Sequence, residues 1–171
     1  MTMQLLVIRH AIAKDREAFA KTGRPDEERP LTKRGRKEMA KVARGLRRWV
    51  KPLDVLAASP LVRAQQTAAI VADAYGDTYI ETVPALEPER APAAFAKWLS
   101  TQRRAKIVAI VGHEPHLGVL VTWLLSGITD SHIDLDKGGA ILLELERKPG
   151  AHCARLLWAL PPDVLATLGR K

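Results

Sequence analysis

Residues 5–10 read Leu5-Leu6-Val7-Ile8-Arg9-His10, an apolar run that ends in an arginine and a histidine. A short continuous apolar run is typical of a buried strand. Its carboxyl end would carry a cation and an imidazole. Two later runs have the same design: residues 53–58 lead into Ser59-Pro60-Leu61-Val62-Arg63, and residues 107–111 lead into Gly112-His113-Glu114-Pro115. We therefore predict three strands whose polar ends share one functional edge of a sheet.

Helical patterns lie between these runs. The first follows Thr32, a good N-cap residue, and ends before Pro52. In the second, we place Ser59 as the cap and Pro60 as the first helical residue. A third helix is predicted to start at Pro115. Strands that alternate with helices in this way indicate a parallel sheet covered on both faces.

The rest of the chain supplies further elements. We predict a short strand over residues 79–83 and a brief helix around residues 95–99, followed by two final strands, 140–146 and 154–160, that pair as a hairpin or at the sheet edge. The predicted fold class is α/β, a three-layer α/β/α sandwich with a mainly parallel central sheet. At this length we expect a single domain over residues 1–171.

The positive charge of the chain is concentrated on one element. The net charge is +8, and nine basic residues but only one acid lie in the segment 33–51, so the remaining residues are balanced. Apolar residues recur there at helical spacing, at Met39, Val42, Leu46 and Trp49. A solvated basic face is the favoured interpretation, because charge runs mostly serve solubility, and a docking surface for an acidic partner is the alternative.

Composition excludes several classes of protein. Cys153 is the only cysteine, so an internal disulfide and a cysteine-rich metal cluster are excluded, and a reducing setting is favoured. No apolar run is long enough to span a bilayer, and the pattern of a signal peptide is absent. We therefore expect a soluble cytoplasmic protein without membrane association.

Metal and nucleic-acid binding are not expected. The segment His113-Glu114-Pro115-His116 lacks the spacing of the helical His-Glu-x-x-His motif, so we predict no metal and no cofactor. His116, His132 and His152 are assigned structural or exposed positions. The tryptophans are assigned to core packing rather than base stacking, which makes nucleic acid an unfavoured partner; they are Trp49, Trp98, Trp123 and Trp158.

The strand ends indicate phosphoryl chemistry. Ligands of open α/β sheets bind beyond the carboxyl ends of the strands, which places Arg9, His10, Arg63 and His113 around one crevice. Two guanidinium forks can hold the charged phosphoryl oxygens. A neutral imidazole, His10, can attack phosphorus without a metal, and we expect His113 to be a positively charged partner that stabilises the transferring group.

Four stretches together resemble a known family. Arg9-His10-Ala11 is similar to the Arg-His-Gly signature of the histidine phosphatase superfamily, whose fold is phosphoglycerate-mutase-like, with alanine in place of glycine. Residues 59–67 and 111–115 resemble its second and third motifs, and residues 29–35 resemble the small phosphohistidine phosphatase branch. The resemblance implies that His10 becomes transiently phosphorylated and that Arg9, Arg63 and His113 bind the phosphoryl group.

The proton donor and the substrate are less clearly indicated. Glu87 is the first candidate for the acid that protonates a leaving group, Glu114 the second and Asp15 the third. Imidazole leaves far more easily than an alkoxide, so a site poor in donors still cleaves phosphohistidine, and we expect a protein phosphohistidine substrate. The alternatives are a phosphatase of small phosphomonoesters or condensed phosphates, and a non-enzymatic module that binds phosphate or a phosphoprotein.

Overall fold

The computed structural model describes residues 2–170, in which six strands and six α-helices are present. The strands are β1 (Met3–Arg9), β2 (Val55–Ala58), β3 (Ile80–Thr82), β4 (Ile107–Gly112), β5 (Ala140–Leu145) and β6 (Ala154–Leu160). The helices are α1 (Arg16–Ala20), α2 (Lys33–Trp49), α3 (Val62–Ala74), α4 (Pro92–Leu99), α5 (His116–Ser126) and α6 (Pro162–Leu168). Short 3-10 helices cover Asp26–Glu28 and Pro84–Leu86.

The strands form one sheet in the order β3-β2-β4-β1-β5-β6. β1 to β4 are parallel, β5 is antiparallel to β1, and β6 pairs antiparallel with β5. One face is covered by α2, α3 and α6, and the other by α4 and α5. The three-layer α/β/α prediction is confirmed, with the final two strands as the antiparallel edge.

Burial on both faces explains the apolar run of β1. Leu6 and Ile8 belong to the core under α2 and α3, whereas Leu5 and Val7 belong to the core under α4 and α5. All four side chains are fully buried. In the register of the sheet Arg9 pairs with Gly112, so the carboxyl ends of β1 and β4 are level.

Helix α2 begins as predicted, but its apolar stripe ends early. Thr32 Oγ1 accepts a hydrogen bond from the Gly35 N–H at 2.9 Å. Gly35 contacts the backbone of Ile12, where a Cβ would lie 2.1 Å from the carbonyl oxygen. The assignment of Trp49 to the core is wrong: its side chain is 59% exposed, because the helix ends at this residue and Val50 is buried instead.

The C-terminal helix α6 was not predicted. It packs on α2 where Gly45 leaves room for the carbonyl oxygen of Leu165; a Cβ at Gly45 would lie 1.9 Å from that oxygen. Arg48 Nη1 donates to the Leu168 carbonyl at 3.2 Å. Eight of the nine basic residues in the segment 33–51 are nevertheless exposed, and only Lys41 is half-buried, so the predicted basic surface faces solvent.

Two helix starts differ from the prediction. α3 begins at Val62 with Leu61 as its N-cap, and Pro60 lies outside it. Ser59 Oγ accepts from the Leu61 N–H at 3.3 Å, so this hydroxyl organises the turn before the helix. Pro115 is the N-cap of α5 rather than its first helical residue.

Within residues 2–170, no helix has the length and apolar character needed to cross a membrane.

Candidate active site

A cavity of about 720 Å³ lies at the carboxyl ends of the parallel strands. Its sheet-edge wall consists of Arg9, His10, Arg63 and His113, the four residues that sequence reasoning placed around one crevice. The opposite side, here named the loop wall, comes from two connections of the chain; it consists of Lys14, Asp15, Arg16, Arg29 and residues 88–92.

His10 is held in one orientation by backbone groups. Its backbone N–H donates to the Gly112 carbonyl at 3.0 Å, and the Nδ1 atom of its ring is 2.7 Å from the carbonyl oxygen of Ala11. Because a carbonyl only accepts, the proton lies on Nδ1 and the lone pair lies on Nε2. Burial, together with the positive charges of Arg63 and Arg9, lowers the pKa of His10 to about 4. The ring is therefore neutral at physiological pH, as a nucleophile requires.

His113 lies beside His10, with the two ring centroids 5.2 Å apart. Its Nε2 is 2.8 Å from Ser59 Oγ. Burial, reinforced by the charges of His10 and Arg63, holds the pKa of His113 far below its ordinary value. So low a pKa favours a neutral His113 ring, and the positive charge expected on His113 requires an anion beside it. A phosphoryl dianion nearby would raise this pKa, because an opposite charge favours the charged form.

Each of the two arginines donates to a backbone carbonyl and leaves its buried Nε–H without a partner among residues 2–170. Arg9 Nη1 donates to the Leu135 carbonyl, and Arg63 Nη1 donates to the Asp26 carbonyl at 2.9 Å. Their Nε atoms and Nδ1 of His113 are buried without a hydrogen-bond partner within residues 2–170. Buried donors are normally satisfied. Guanidinium N–H groups left without partners in a cavity wall suit an anion with several acceptor oxygens.

Arg29 and Asp26 were not identified as site residues from the sequence. Arg29 is buried and lines the cavity. Its Nε donates to Asp26 Oδ1 at 2.7 Å, and its Nη1 donates to the Lys14 carbonyl at 2.7 Å. Burial alone would raise the pKa of Asp26, but the hydrogen bond from Arg29 and the charge of Arg63 lower it. The length and charge of the connection 11–31 were the available signal, but they do not single out one residue.

The candidate proton donors are placed differently from their predicted order. Glu87, the first candidate, is outside the cavity lining and pairs with Arg90 at 3.3 Å. Asp15 lines the cavity, but its carboxylate caps α1 by accepting from the Ala18 N–H at 2.8 Å. Glu114 also lines the cavity, and one of its carboxyl oxygens is buried there.

Glu114 has the surroundings of a carboxylic acid whose pKa is raised. Its Oε1 is buried and has no hydrogen-bond partner in the described part of the chain. Burial raises the pKa of this carboxyl to about 7, with help from the charge of Asp134 and against the opposing charge of Arg9. A carboxyl that is half protonated at neutral pH can give a proton to a leaving group.

The three remaining histidines differ in their exposure to solvent. His132 and His152 are exposed, as predicted, whereas His116 is buried and lines the cavity. Burial lowers the pKa of His116, and its ring nitrogens make no hydrogen bond to residues of the described chain. No group of three or more potential metal ligands was found among residues 2–170.

A family model and a sequence relative match the chain. The model described as histidine phosphatase superfamily (branch 1) matches residues 5–87. An uncharacterized protein of Picosynechococcus sp. (strain ATCC 27264 / PCC 7002 / PR-6) is 36% identical over 142 residues, which cover 81% of this chain and 83% of the relative.

Three solved structures illustrate the fold. The protein histidine phosphatase SixA complexed with tungstate has a TM-score of 0.81 at 24% identity, with 95% of this chain and 99% of that chain covered. The alpha-ribazole phosphatase from Shigella flexneri has a TM-score of 0.74 at 19% identity, covering 94% and 97%. A mutant phosphoserine phosphatase from Entamoeba histolytica, in complex with phosphoserine, has a TM-score of 0.68 at 16% identity, covering 94% and 98%. At these identities the likeness is one of fold.

Proposed function

This chain belongs to the histidine phosphatase superfamily and is a phosphatase, and from that premise we propose that it hydrolyses protein phosphohistidine through a covalent phosphohistidine on His10. The observation that supports the proposal most strongly is the hydrogen bond that fixes the tautomer of the His10 ring. Its Nδ1 is tied to the Ala11 carbonyl, so a neutral ring with an available Nε2 lies among Arg9, Arg63 and His113. This arrangement supports nucleophilic attack on phosphorus without a metal.

In the first step of the proposed reaction, Nε2 of His10 forms a bond to phosphorus while the bond to the leaving nitrogen breaks. The leaving imidazole takes the electron pair of that bond. When its other nitrogen already carries a proton, it leaves as neutral imidazole, and no donor from the enzyme is needed. Arg9 and Arg63 are proposed to stabilise the charge on the transferring oxygens.

In the second step, water attacks the phosphorus of the phosphorylated enzyme. The bond from phosphorus to Nε2 breaks and its electron pair returns to the ring. Both hydrogens of the water leave with inorganic phosphate, and His10 is again neutral with its proton on Nδ1. The charges therefore balance without a co-reactant.

The loop wall supports a phosphorylated protein as the substrate. Lys14, Arg16 and Arg90 line the cavity with side chains that are exposed at its rim, and Lys137 does so from another loop. A cation-rich open rim can contact the surface of a protein that presents its phosphorylated side chain to His10. The likeness to SixA, which is named a protein histidine phosphatase, is consistent with this substrate class.

One observation favours a second candidate, a phosphatase of small phosphomonoesters. An alkoxide needs a proton as it leaves. The Glu114 carboxyl, whose pKa is raised to about 7, would supply that proton. The alpha-ribazole phosphatase and phosphoserine phosphatase folds are consistent with this class. Glu114 thus separates the two candidates, because phosphohistidine cleavage does not depend on a protonated carboxyl.

The experiment compares a phosphohistidine protein and an alkyl phosphate on the wild type and on Glu114→Gln. For a phosphohistidine phosphatase we expect the phosphorylated protein to be the better substrate and the substitution to change its rate by less than about threefold. For a phosphomonoesterase, the substitution lowers kcat on the alkyl phosphate by about hundredfold or more. Activity on that substrate would also fall as pH rises through about 7, because Glu114 then loses its proton.

The matched control is Glu87→Gln, which makes the same change in a carboxylate outside the cavity lining. We expect it to leave both rates unchanged. A strong preference of the wild type for the alkyl phosphate would overturn the proposed phosphohistidine substrate, while leaving the phosphatase assignment in place.

A further inference from the structure

Asp26 connects two arginines of the cavity although it does not line the cavity itself. Its Oδ1 accepts a hydrogen bond from Arg29 Nε at 2.7 Å, and its Oδ2 is 3.1 Å from Arg63 Nη2. The carbonyl oxygen of Asp26 also accepts a hydrogen bond from Arg63 Nη1 at 2.9 Å. Asp26 therefore makes three contacts to two buried guanidinium groups from different parts of the chain, and its Oδ1 is also 3.7 Å from Nε of the exposed Arg16.

These contacts leave specific donors of Arg63 unused. Asp26 faces both terminal amino groups of this side chain, so the guanidinium is held at its far end. The Nε–H is buried and has no hydrogen-bond partner within residues 2–170. A guanidinium that is fixed in this way loses less rotamer entropy when it binds an anion, because it is already ordered.

Arg29 is held in the same manner. Its Nε is bound to Asp26 and its Nη1 to the Lys14 carbonyl, and these bonds do not involve Nη2. The side chain is buried and lines the cavity. Its charge also acts on His10, whose pKa it helps to lower. Arg29 and the proposed nucleophile His10 therefore line the same cavity.

We propose that Asp26 is a positioning residue, which holds Arg63 and Arg29 so that both guanidinium groups bind the phosphoryl group beside His10. The inference rests on the proposed function, and it adds a third arginine to the phosphoryl-binding groups. It also assigns a function to the 3-10 helix Asp26–Glu28. This turn brings Asp26 into contact with Arg29 and Arg63, which are 34 positions apart in the chain.

A purely structural role for the ion pairs predicts something different. The Asp26 side chain is 39% exposed, whereas the side chains of Arg63 and Arg29 are 4% and 10% exposed, so solvent screens only the carboxylate side of each ion pair. A structural role would change thermal unfolding and leave anion binding alone. A positioning role changes anion binding and leaves the unfolding temperature nearly the same.

The test uses Asp26→Asn, with tungstate as the probe of the phosphoryl site because binding needs no turnover. We expect tungstate to bind about tenfold more weakly than to the wild type, since the two arginines are no longer ordered. With p-nitrophenyl phosphate we expect kcat to fall by about the same factor with a smaller change in KM, because the arginines act on the transferring group. Tungstate affinity equal to that of the wild type would overturn the proposal.

The matched control is Glu28→Gln, on the same turn. Glu28 pairs with Arg24 at 2.7 Å, both side chains are about half exposed, and neither residue lines the cavity. The change from carboxylate to amide is identical in kind, so tungstate affinity and kcat should match the wild type. Equal losses in both variants would show a general effect of the turn and overturn the specific role of Asp26.

The titration of His10 gives a second readout whose direction is decisive. The groups that act on its charge are Arg63, Arg9 and Arg29, with His113 beside it. If Asp26→Asn releases two of the arginines, the pKa of His10 rises toward its ordinary value. If the arginines stay in place, removal of the negative charge lowers the pKa further or leaves it unchanged, and the positioning role is refuted. Histidine ring NMR signals followed from pH 3 to 8 measure this.

A second variant covers the case in which Asp26→Asn does not fold. Arg29→Lys keeps the charge but loses the fork, so we expect about tenfold weaker tungstate binding. Unchanged affinity would overturn the role of Arg29. Where both variants fold, the double variant should lose less than the product of the two single losses, because the residues act as one unit. Failure of the proposed function would appear separately, as turnover retained in His10→Ala.

Discussion

The two walls of the cavity are held in place by different means. On the sheet-edge wall, backbone hydrogen bonds between level strand ends fix the groups, as in the bond from the His10 N–H to the Gly112 carbonyl. On the loop wall, other loop residues hold the side chains: Arg29 donates to the Asp26 carboxylate and to the Lys14 carbonyl, and Arg90 pairs with Glu87. The strand ends thus place the backbone of the groups proposed for the chemistry, whereas the exposed side chains of the loop wall can change without disturbing them.

This difference leads to a general expectation for substitutions. Changes on the sheet-edge wall should lower kcat for every phosphorylated substrate, because they alter the transferring centre. Changes of the exposed loop-wall side chains Lys14, Arg16 and Arg90 should alter KM for large substrates and leave small aryl phosphates unaffected. The buried Arg29 is the exception, because it is proposed to act on the phosphoryl group itself.

His10→Ala should abolish turnover, with a loss on the order of thousandfold or more for both protein and aryl phosphate substrates, because the proposed nucleophile is gone. Steady-state rates and acid-trappable labelling of the protein with radioactive phosphate measure this. The control is His132→Ala, which removes an exposed imidazole outside the cavity lining. Turnover that survives in His10→Ala would remove the basis of the covalent mechanism.

Arg63→Lys should lower kcat by about hundredfold on either substrate, since lysine keeps the charge but not the planar fork that binds two oxygens. Arg24→Lys makes the same replacement at an arginine outside the cavity lining and should have no effect. Near-normal kcat in Arg63→Lys, with unfolding temperature unchanged, would mean that the fork is not used in the transfer.

The combined change Arg16→Ala and Arg90→Ala should raise KM for a phosphorylated protein about fivefold and leave the kinetics on p-nitrophenyl phosphate unchanged. Both arginines line the loop wall and are exposed. The matched control removes two exposed arginines, Arg103 and Arg147, that line a separate cavity beside Met3, where β1 begins. An equal change of KM on both substrates would erase the distinction between the walls.

The sheet-edge wall was predictable from the sequence because ligands of open α/β sheets bind beyond the carboxyl ends of the strands. Apolar runs locate β1, β2 and β4, and parallel pairing brings the residues after them to one edge. Arg9, His10 and His113 follow directly from that rule. Arg63 lies one residue inside α3, close enough for the rule to include it even though the helix start was misplaced.

The loop wall could not be derived in the same way. The position of Arg29 depends on one aspartate in a 3-10 turn, and no periodicity of the sequence records that contact. The state of Glu114 depends on burial against α5 and on Asp134, which are set by tertiary packing. α6 was missed because a helix of seven residues after two prolines gives little periodic signal; its burial comes from Leu165 on α2.

The hydrogen bond between His10 Nδ1 and the Ala11 carbonyl also decides the regiochemistry of a phosphorylated enzyme. With Nδ1 committed as a donor, the phosphorus would be carried on the tele nitrogen, and the pros isomer would require the ring to turn over and give up a bond of 2.7 Å. A single main-chain oxygen would thus fix the isomer that the enzyme forms, whichever isomer its substrate carries.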